Sequence, residues 1–480
     1  MNRPIKHFLR WVVSGVIAVT FLLVMSSATS FFNTVYGGDA AIFRVIGSAM
    51  HHGQELYVGV WDHKGPTLFF IEWLGQVIHE GRGGIFVLQV VALTVSLALI
   101  MTLALRFTSR LGAAGAVTLV IAVLSFTFEG GNLSEEFSLP LIVFVLYGAL
   151  RLLDDDETAH GVRGLVLSAG MGVAFAFTFF TRANNAMPIA GIFAGLLIQL
   201  LLRRAPVVKR FGMAIAGFFA MTALIVGWFA LRGTLEEMLD ATFWFNLRYI
   251  EDASAQPKAT AYLGTVALAG TLTLAAASAQ LLRFGLRGST WAVVTGLGAA
   301  STVAVLSPAT SYAHYLTLIL PMMALGAVML LHALGARMRG ILALVIVMAA
   351  SAVTMYQVPK SVQYARAVHL AESAYQAQLE DVLSDVANDR RQEVFPWSLP
   401  ATYYLMTDTL PTYKYFITQQ WWGSVDPQVT ADTVAHIAQV RPGWVLTPAG
   451  GATDERLQRL LDGDYLPARS NNRFQLFELR

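Results

Sequence analysis

Long apolar runs are the feature that most constrains how this chain can fold. A helix needs about 20 mainly apolar residues to cross the hydrocarbon core of a bilayer. Eleven runs of about that length lie near residues 11–32, 84–105, 111–128, 136–153, 163–181, 185–202, 211–231, 260–282, 289–307, 312–332 and 339–357. Because backbone polar groups in lipid must be satisfied within the protein, these runs predict a polytopic all-α membrane protein with about 11 transmembrane helices.

Composition agrees with this class and excludes others. Hydrophobic residues make up 55% of the chain and charged residues 13%, against about 25% charged residues in a soluble domain. The net charge is +2 and the basic residues are scattered, so nothing indicates a nucleic-acid partner. The absence of cysteine excludes disulfides, thiolate metal sites and a cysteine nucleophile. The first run is longer than the roughly 7–15 apolar residues of a cleaved signal peptide, so we expect a membrane anchor.

A shorter apolar segment, residues 67–78, decides the orientation. It has only about a dozen residues and contains Glu72, so we expect an interfacial helix within a first outer loop, residues 33–83. If it does not span, the outer loops keep single basic residues such as Arg44 and Arg82. The cytoplasmic side then receives the basic pairs Arg106 and Arg110, Arg203 and Arg204, Lys209 and Arg210, Arg283 and Arg287, and Arg337 and Arg339. This positive-inside distribution predicts a protein of the cytoplasmic (inner) membrane, with a cytoplasmic N-terminus and an extracytoplasmic C-terminal region.

Residues 358–480 differ in composition from the transmembrane domain, residues 1–357. An amphipathic helix is predicted at 361–388. Strand-like segments at 393–397, 413–418, 443–447 and 474–479 are separated by helical stretches near 428–440 and 453–462. Strands alternating with helices predict a small extracytoplasmic α/β domain with a partly parallel sheet. Gly450 and Gly451 are interpreted as a turn rather than as a ligand-binding loop.

The densest charged motif is Trp61-Asp62-His63-Lys64-Gly65-Pro66. Pro66 suits the first turn of a helix, and Gly65 permits a tight turn before it. Lys64 would then lie beside a helix N-terminus, a setting that favours a phosphate. The alternative is an interfacial Lys64 that extends to the headgroups with Asp62 as its partner. The density of charge beside a membrane favours a functional site.

Other polar residues lie at the predicted outer ends of helices. Asp39 follows two glycines and is either a helix N-cap or a carboxylate that can act as a general base. Glu135 and Glu136 begin a spanning helix, and acidic side chains at a helix N-terminus interact favourably with the helix dipole. Alternatively, these two carboxylates bind a sugar or a divalent cation, which would then be a cofactor.

Two further motifs supply a cation and a histidine. Arg182, followed by Asn184, interrupts two predicted helices and can hold a phosphate bidentately. His314, flanked by Tyr312 and Tyr315, begins the tenth run. This histidine is either a structural hydrogen-bonding residue or a third phosphate contact.

Together the motifs resemble those of GT-C glycosyltransferases, and more closely the bacterial family-39-like branch related to protein mannosyltransferases and aminoarabinose transferases. The resemblance is carried by Gly38-Asp39, Asp62-His63-Lys64-Gly65-Pro66, Glu135-Glu136, Arg182 with Asn184, His314-Tyr315 and the outer α/β domain. The segment 232–259 is too short for the long central loop of a ligase, which argues against polymer ligation.

The resemblance implies an inverting transfer of a sugar from a polyprenyl-phosphate donor to a hydroxyl of a cell-envelope glycan, lipid or protein, at the outer face of a membrane whose lipids it also contacts. It implies that Asp39 is the general base and that Lys64, Arg182 and His314 bind the donor phosphate. The implied candidates for binding substrate or metal are Asp62, His63, Glu135, Glu136, Asn184 and Tyr315. We expect Lys64 and Arg182 to share one phosphate. Two alternatives are a lipid-linked substrate transporter or flippase, and an outward-facing sensor or assembly protein.

Overall fold

The chain divides into two compact units, and each is described by itself. Unit 1 comprises Met1–Ser26, Phe86–Trp228 and Gln256–Gln363; unit 2 comprises Ser27–Ile85, Phe229–Ala255 and Tyr364–Arg480. The structure is a computed structural model that describes residues 3–32, 34–154, 161–205, 207–254, 262–308, 312–450 and 454–480. Gly451, residues 255–259 of the segment 232–259, and the first two residues of the predicted run 260–282 lie outside the described residues.

Each of the eleven predicted runs overlaps a helix, although the first helix ends at Met25 whereas the predicted run extends to residue 32. The helices up to the C-terminal sheet are α1 Arg3–Met25, α2 Asp39–His51, α3 Pro66–Ile78, α4 Gly83–Phe107, α5 Arg110–Thr127, α6 Ser134–Leu152, α7 Val162–Thr181, α8 Met187–Leu202, α9 Val207–Arg232, α10 Leu235–Leu239, α11 Phe245–Ser254, α12 Leu263–Gly288, α13 Trp291–Leu306, α14 Leu320–Ala333 and α15 Ala336–Val382. Among the described residues, nine helical segments are long and apolar enough to cross a membrane. Two of them consist of α8 and α14 together with the short 3-10 helices that precede them, Ala183–Ala186 and Ala313–Ile319. Of the other two runs, α13 has only 16 residues and α6 carries three charged residues. The chain is a multi-pass membrane protein.

Small residues let the helices of unit 1 approach closely. A Cβ atom added at Gly191 of α8 would lie 2.2 Å from the carbonyl oxygen of Gly296 on α13, and one at Gly195 would lie 2.2 Å from that of Ala292. In lipid the hydrophobic effect does not drive helices together, so close backbone packing across such positions has to do so. A larger residue at Gly191 or Gly195 would therefore separate α8 from α13.

Helix α3 has the length and the surface of an interfacial helix. Its 13 residues span about 20 Å, which is less than the roughly 30 Å of a hydrocarbon core. One face buries Glu72 and Gln76. The opposite face exposes the apolar side chains of Trp73, Leu74, Val77 and Ile78. This arrangement agrees with the prediction that residues 67–78 do not span the membrane.

The C-terminal part of unit 2 contains a mixed sheet, which confirms the predicted α/β region. Its strands are β1 Val394–Pro396, β2 Trp444–Pro448, β3 Tyr465–Ser470 and β4 Phe474–Leu479, in the order β1-β2-β4-β3. Strand β1 pairs with β2 in parallel, and the remaining pairs are antiparallel. The helices are α16 Thr402–Thr407, α17 Gln419–Val425, α18 Pro427–Val440 and α19 Glu455–Asp464. Their core includes Phe395, Trp397, Ile437, Val445 and Leu457.

Three features of the C-terminal part of the chain differ from the sequence predictions. Residues 413–418 do not form a strand, because the Tyr413 ring stacks on His436 at 4.1 Å and the Tyr415 ring packs against Trp61 at 5.3 Å. Strand β3 was not expected from the sequence. The predicted break between residues 357 and 361 is absent, because α15 continues for 47 residues through Pro359. The change from apolar to polar composition along α15 does not require a break in the backbone.

We predict that residues 209 and 455 lie on opposite sides of the membrane. The chain has no cysteine, and Lys209 and Glu455 are both exposed, so Lys209→Cys and Glu455→Cys can be labelled individually. An impermeant maleimide should label position 455 in intact cells and position 209 only after permeabilisation, with the unsubstituted protein as the blank. The opposite pattern would contradict the positive-inside orientation.

Candidate active site

In unit 2, Lys64 lies between two carboxylates. Its Nζ is 3.4 Å from Oδ1 of Asp62 and 3.7 Å from Oδ2 of Asp39. The Lys64 ammonium also lies 5.0 Å from the centre of the Phe43 ring. Asp39 is the first residue of α2, with Gly38 at the N-cap position, and Lys64 precedes α3. The packing of α2 and α3 thus brings together three of the residues singled out in the sequence.

Asp62 is the buried member of this cluster. It is 0% exposed, and its Oδ1 accepts a hydrogen bond of 3.0 Å from the backbone N–H of Lys64. Burial raises the pKa of Asp62, and the Lys64 ammonium offsets part of that effect. Gly65 does not make the tight turn expected of it, because its φ of −72° and ψ of 155° are open to any residue. Pro66 does occupy the first turn of α3, as predicted.

Two side chains not identified from the sequence hold the backbone of this motif. The buried Tyr57 hydroxyl donates to the carbonyl of Lys64 at 2.7 Å. The Asn246 amide donates to the carbonyl of His63 at 2.7 Å and to carbonyls of the π-helical turn Asp240–Trp244. Such turns are rare and often lie at functional sites. The only signal in the sequence was the proximity of Tyr57 to the motif, and nothing pointed to Asn246.

His63 faces aromatic rings of unit 2. Its ring centre lies 5.0 Å from that of Trp422, 5.6 Å from that of Tyr249 and 6.0 Å from that of Phe245. Trp61 packs edge-on against Phe245 at 4.8 Å and against Trp422 at 5.2 Å. The motif around Lys64 is therefore anchored on an aromatic cluster.

In unit 1, Arg182 bridges a buried carboxylate and a tyrosine. Its Nη1 donates to Oε1 of Glu135 at 2.9 Å, and its Nη2 donates to the hydroxyl of Tyr315 at 2.7 Å. Glu135 is 1% exposed and also accepts a hydrogen bond from the Ser134 hydroxyl. The guanidinium of Arg182 therefore compensates a carboxylate that water does not reach.

His314 forms a pair with Glu129, which was not among the candidates found in the sequence. Nδ1 of His314 lies 2.5 Å from Oε2 of Glu129, and the backbone N–H of Ala313 donates to Oε1 at 3.2 Å. Glu129 has a φ of +45°, the first of four successive residues with positive φ through Asn132. Such a backbone is costly for a residue other than glycine and often marks a functional site. The glycines at 130 and 131 indicate a turn, but they do not reveal this partner.

The two pairs join through Tyr315. Its ring lies 4.7 Å from that of His314, and the Arg182 guanidinium is 4.6 Å from its centre. Unit 1 therefore gathers four of the residues singled out in the sequence into one cluster, with Glu129 added. Lys64 belongs to unit 2, so a phosphate shared by Lys64 and Arg182 stays a prediction.

Asn184 and Glu136 make other contacts. The Asn184 amide donates to the carbonyl of Ala304 at 2.6 Å and its Oδ1 accepts from Ser307, which ties α13 to the turn before α8. Glu136 accepts from the Gln89 amide at 2.7 Å and from the backbone N–H of Leu133, as a capping residue of α6. Within the described ranges, no group of three or more His, Asp or Glu side chains could hold a metal ion.

We predict that Arg182→Gln destabilises the protein because it leaves Glu135 buried without its cation. The expected loss is ~3–5 kcal/mol, the range for breaking a buried ion pair. The double variant Glu135→Gln/Arg182→Gln should recover most of this loss, since no buried charge remains. Thermal unfolding of the purified variants measures both effects. Equal unfolding temperatures for wild type and Arg182→Gln would contradict the structural role of the pair.

Several solved structures share this architecture. ArnT from Cupriavidus metallidurans bound to undecaprenyl phosphate aligns with 97% of this chain and 97% of its own length, at 13% identity and a TM-score of 0.65. The apo state of ArnT from the same organism aligns over 99% of this chain and 98% of its own, at 13% identity and a TM-score of 0.60. The archaeal oligosaccharyltransferase AglB from Archaeoglobus fulgidus, in complex with an inhibitory peptide and a dolichol-phosphate, aligns with 92% of this chain and 69% of its own at 14% identity and a TM-score of 0.52.

The sequence alone gives no such match. No family model matches it, and no curated protein matches it. At identities of 13–14%, the structural similarity shows the fold. The chain therefore has the GT-C fold that its sequence motifs led us to expect.

Proposed function

We propose that this protein is a glycosyltransferase that moves a sugar from a polyprenyl-phosphate donor to an acceptor hydroxyl at the outer face of the cytoplasmic membrane. The observation that carries the proposal is the cluster of Asp39, Lys64 and Asp62 in a chain with the GT-C fold. Two proteins of the same fold support the donor class, because ArnT was solved with undecaprenyl phosphate and AglB with a dolichol-phosphate. Both ligands are polyprenyl phosphates.

The proposed reaction is a displacement at the anomeric carbon. The acceptor oxygen forms a bond to that carbon while the bond from the carbon to the phosphate oxygen breaks, and the bonding electrons leave with the lipid phosphate. Asp39 accepts the proton of the acceptor hydroxyl. Its side chain is 43% exposed, whereas that of Asp62 is fully buried, so Asp39 is the carboxylate of this cluster that an acceptor can reach. A phosphate leaves without being protonated, so the scheme needs no general acid.

The proposed ligands of the donor phosphate are Lys64, Arg182 and His314. Asp62 at 3.4 Å and Asp39 at 3.7 Å hold the Lys64 ammonium in a fixed position. Glu135 and Tyr315 orient the Arg182 guanidinium through two of its nitrogens. Charge-assisted hydrogen bonds of this kind stabilise the charge that develops on a leaving phosphate.

We expect Asp39→Asn to abolish transfer while the protein still folds and binds the donor. Loss of a general base typically lowers the rate by ~100- to 10,000-fold. Single-turnover transfer from a radiolabelled polyprenyl-phospho-sugar measures the effect. Asp408→Asn is the matched control, since Asp408 is an exposed residue with positive φ, a conformation that asparagine tolerates. A rate for Asp39→Asn within a few-fold of the control would remove Asp39 from the chemistry.

Lys64 and Arg182 can be tested for a shared phosphate with a double-mutant cycle. Each of Lys64→Gln and Arg182→Gln should weaken donor binding by ~1.5–3 kcal/mol, the range for hydrogen bonds to charged groups. All variants carry Glu135→Gln and Asp62→Asn, so that no unpaired buried carboxylate complicates the comparison. If both residues act on one phosphate, the double variant loses less than the sum of the single losses. Strictly additive losses would place the two cations in separate sites.

A further inference from the structure

Arg44 and Arg82 of unit 2 lie against the same aromatic ring. The guanidinium carbon of Arg44, on α2, is 5.6 Å from the centre of the Tyr36 ring, and that of Arg82, in the turn before α4, is 5.5 Å from it. The proposed transfer reaction uses neither arginine. Cation–π contacts attract each guanidinium to the ring, but they supply no acceptor for its five N–H donors.

These donors have no acceptor in the part of the chain that the structure describes. No hydrogen bond or ion pair joins either guanidinium to a described residue, although Arg44 is only 8% exposed. Nη1 of Arg82 is buried without a partner. Buried polar groups are nearly always hydrogen-bonded, and buried charges are nearly always paired. Arg44 is a buried charge with no ion-pair partner among the described residues, and Arg82 has a buried N–H donor with no acceptor there, so the pair calls for an acceptor from outside the described residues.

Glu372, whose charge acts on both arginines, is occupied elsewhere. Glu372 accepts hydrogen bonds from the backbone N–H groups of Tyr36, at 2.9 and 3.0 Å, and of Gly37, at 3.3 Å. Its charge acts on Arg44 and Arg82 only through space. Glu372 therefore fixes the ring between the two arginines and leaves their N–H donors without an acceptor.

The pKa of Arg44 is consistent with a guanidinium whose positive charge is not fully compensated by nearby carboxylates. Burial, and next the charge of Arg82, lower the pKa of Arg44 to about 10. This shift remains although Glu72 and Glu372 both act to raise the pKa. A bound anion would raise the pKa of Arg44, because a nearby negative charge favours the ionised guanidinium.

Hydrogen bonds and close helix packing fix the backbone that carries the two arginines. The Gln76 side chain makes two hydrogen bonds to the backbone of Gly81, of 2.8 and 3.1 Å, and Gly81 has a φ of +85° that favours glycine. This fixes the turn that carries Arg82. A Cβ atom added at Gly47 of α2 would lie 2.7 Å from the Cβ of Glu72 on α3, so the helix that carries Arg44 is held close to its neighbour. A site fixed in this way loses little freedom when a ligand binds.

We propose that Arg44 and Arg82 form a binding site for a phosphate group, beside Tyr36 and apart from the donor phosphate ligands. The guanidinium fork matches phosphate oxygens in pairs, and a tetrahedral phosphate presents enough oxygens for two forks at once. A carboxylate has only two oxygens, which one fork satisfies. The phosphate belongs either to the headgroup of a membrane phospholipid or to a soluble phosphate compound.

The first test measures thermal unfolding of the purified full chain during a titration with inorganic phosphate. The protein carries Lys64→Gln, Arg182→Gln and His314→Gln, which remove the proposed donor phosphate ligands. It also carries Asp62→Asn and Glu135→Gln, so that no buried carboxylate is left without its cation. A saturable rise in the unfolding temperature is expected. Arg44→Lys and Arg82→Lys keep the charge and so preserve folding, but they lose the planar fork. Each should weaken the apparent affinity for phosphate at least ~10-fold, as expected for losing one charged hydrogen bond.

Arg248→Lys is the matched control, because Arg248 of the same unit already pairs with Asp240 at 3.1 Å and with Asp426 at 3.2 Å. It should leave the phosphate response unchanged. An equal response in Arg44→Lys, Arg82→Lys and Arg248→Lys would overturn the proposal, as would the absence of any saturable response in both detergent and nanodiscs. The readout is binding, so a failure of the proposed transfer reaction would not affect it.

The same titration in nanodiscs identifies the source of the phosphate. If a phospholipid headgroup occupies the site, phosphatidylglycerol nanodiscs suppress the response to inorganic phosphate seen in detergent, and Arg82→Lys lowers the number of lipids retained in native mass spectrometry. If the natural ligand is soluble, the response is the same in nanodiscs and in detergent.

Discussion

Compensation of charge at the ends of apolar helices is the constraint on which the described polar clusters depend. An ionised side chain next to a low-dielectric region is costly unless an opposite charge or several hydrogen bonds accompany it. Arg182 meets this need with Glu135 at 2.9 Å, and Lys64 meets it with Asp62 at 3.4 Å. The partners of Arg182 come from other helices, so each contact also fixes the helix ends it joins. The ion pairs that compensate these charges also hold the charged side chains in fixed positions. Fixed charges of this kind can stabilise a developing charge in a reaction.

The cluster around Lys64 in unit 2 and the cluster around Arg182 in unit 1 each contain one buried carboxylate and one that is partly exposed. In unit 2, Asp62 is 0% exposed and the side chain of Asp39 is 43% exposed. In unit 1, Glu135 is 1% exposed and the side chain of Glu129 is 38% exposed. In each cluster the buried carboxylate lies against the cation, where it is shielded from any ligand. Only the exposed carboxylate can meet a proton donor from solution. This difference supports Asp39 over Asp62 as the proposed base.

The helices could be predicted from the sequence because their signal is local. An apolar run of sufficient length specifies a helix wherever the rest of the protein lies, and each of the eleven runs overlaps one. The strands depend on their neighbours. The alternating aromatic residues 413–418 have high strand propensity, yet the rings of Tyr413 and Tyr415 are drawn into packing with His436 and Trp61. Strand β3 was missed because it contains Pro467, which is tolerated there since β3 lies at the sheet edge beside a register shift.

The residues of the candidate site could also be predicted from the sequence, but the residues that they contact could not. Glu129 lies 185 residues from His314, and Asn246 lies 183 residues from His63. Tertiary packing alone sets such contacts, and no periodicity in a single sequence reports them. The consequence is clearest for the arginines. Arg182 looked like a cation available to a phosphate, yet Glu135 and Tyr315 occupy two of its nitrogens. Arg44 and Arg82 looked like ordinary loop charges, yet among the described residues their N–H donors find no acceptor. Whether a cation can bind a ligand depends on what already surrounds it, and only the structure supplies that information.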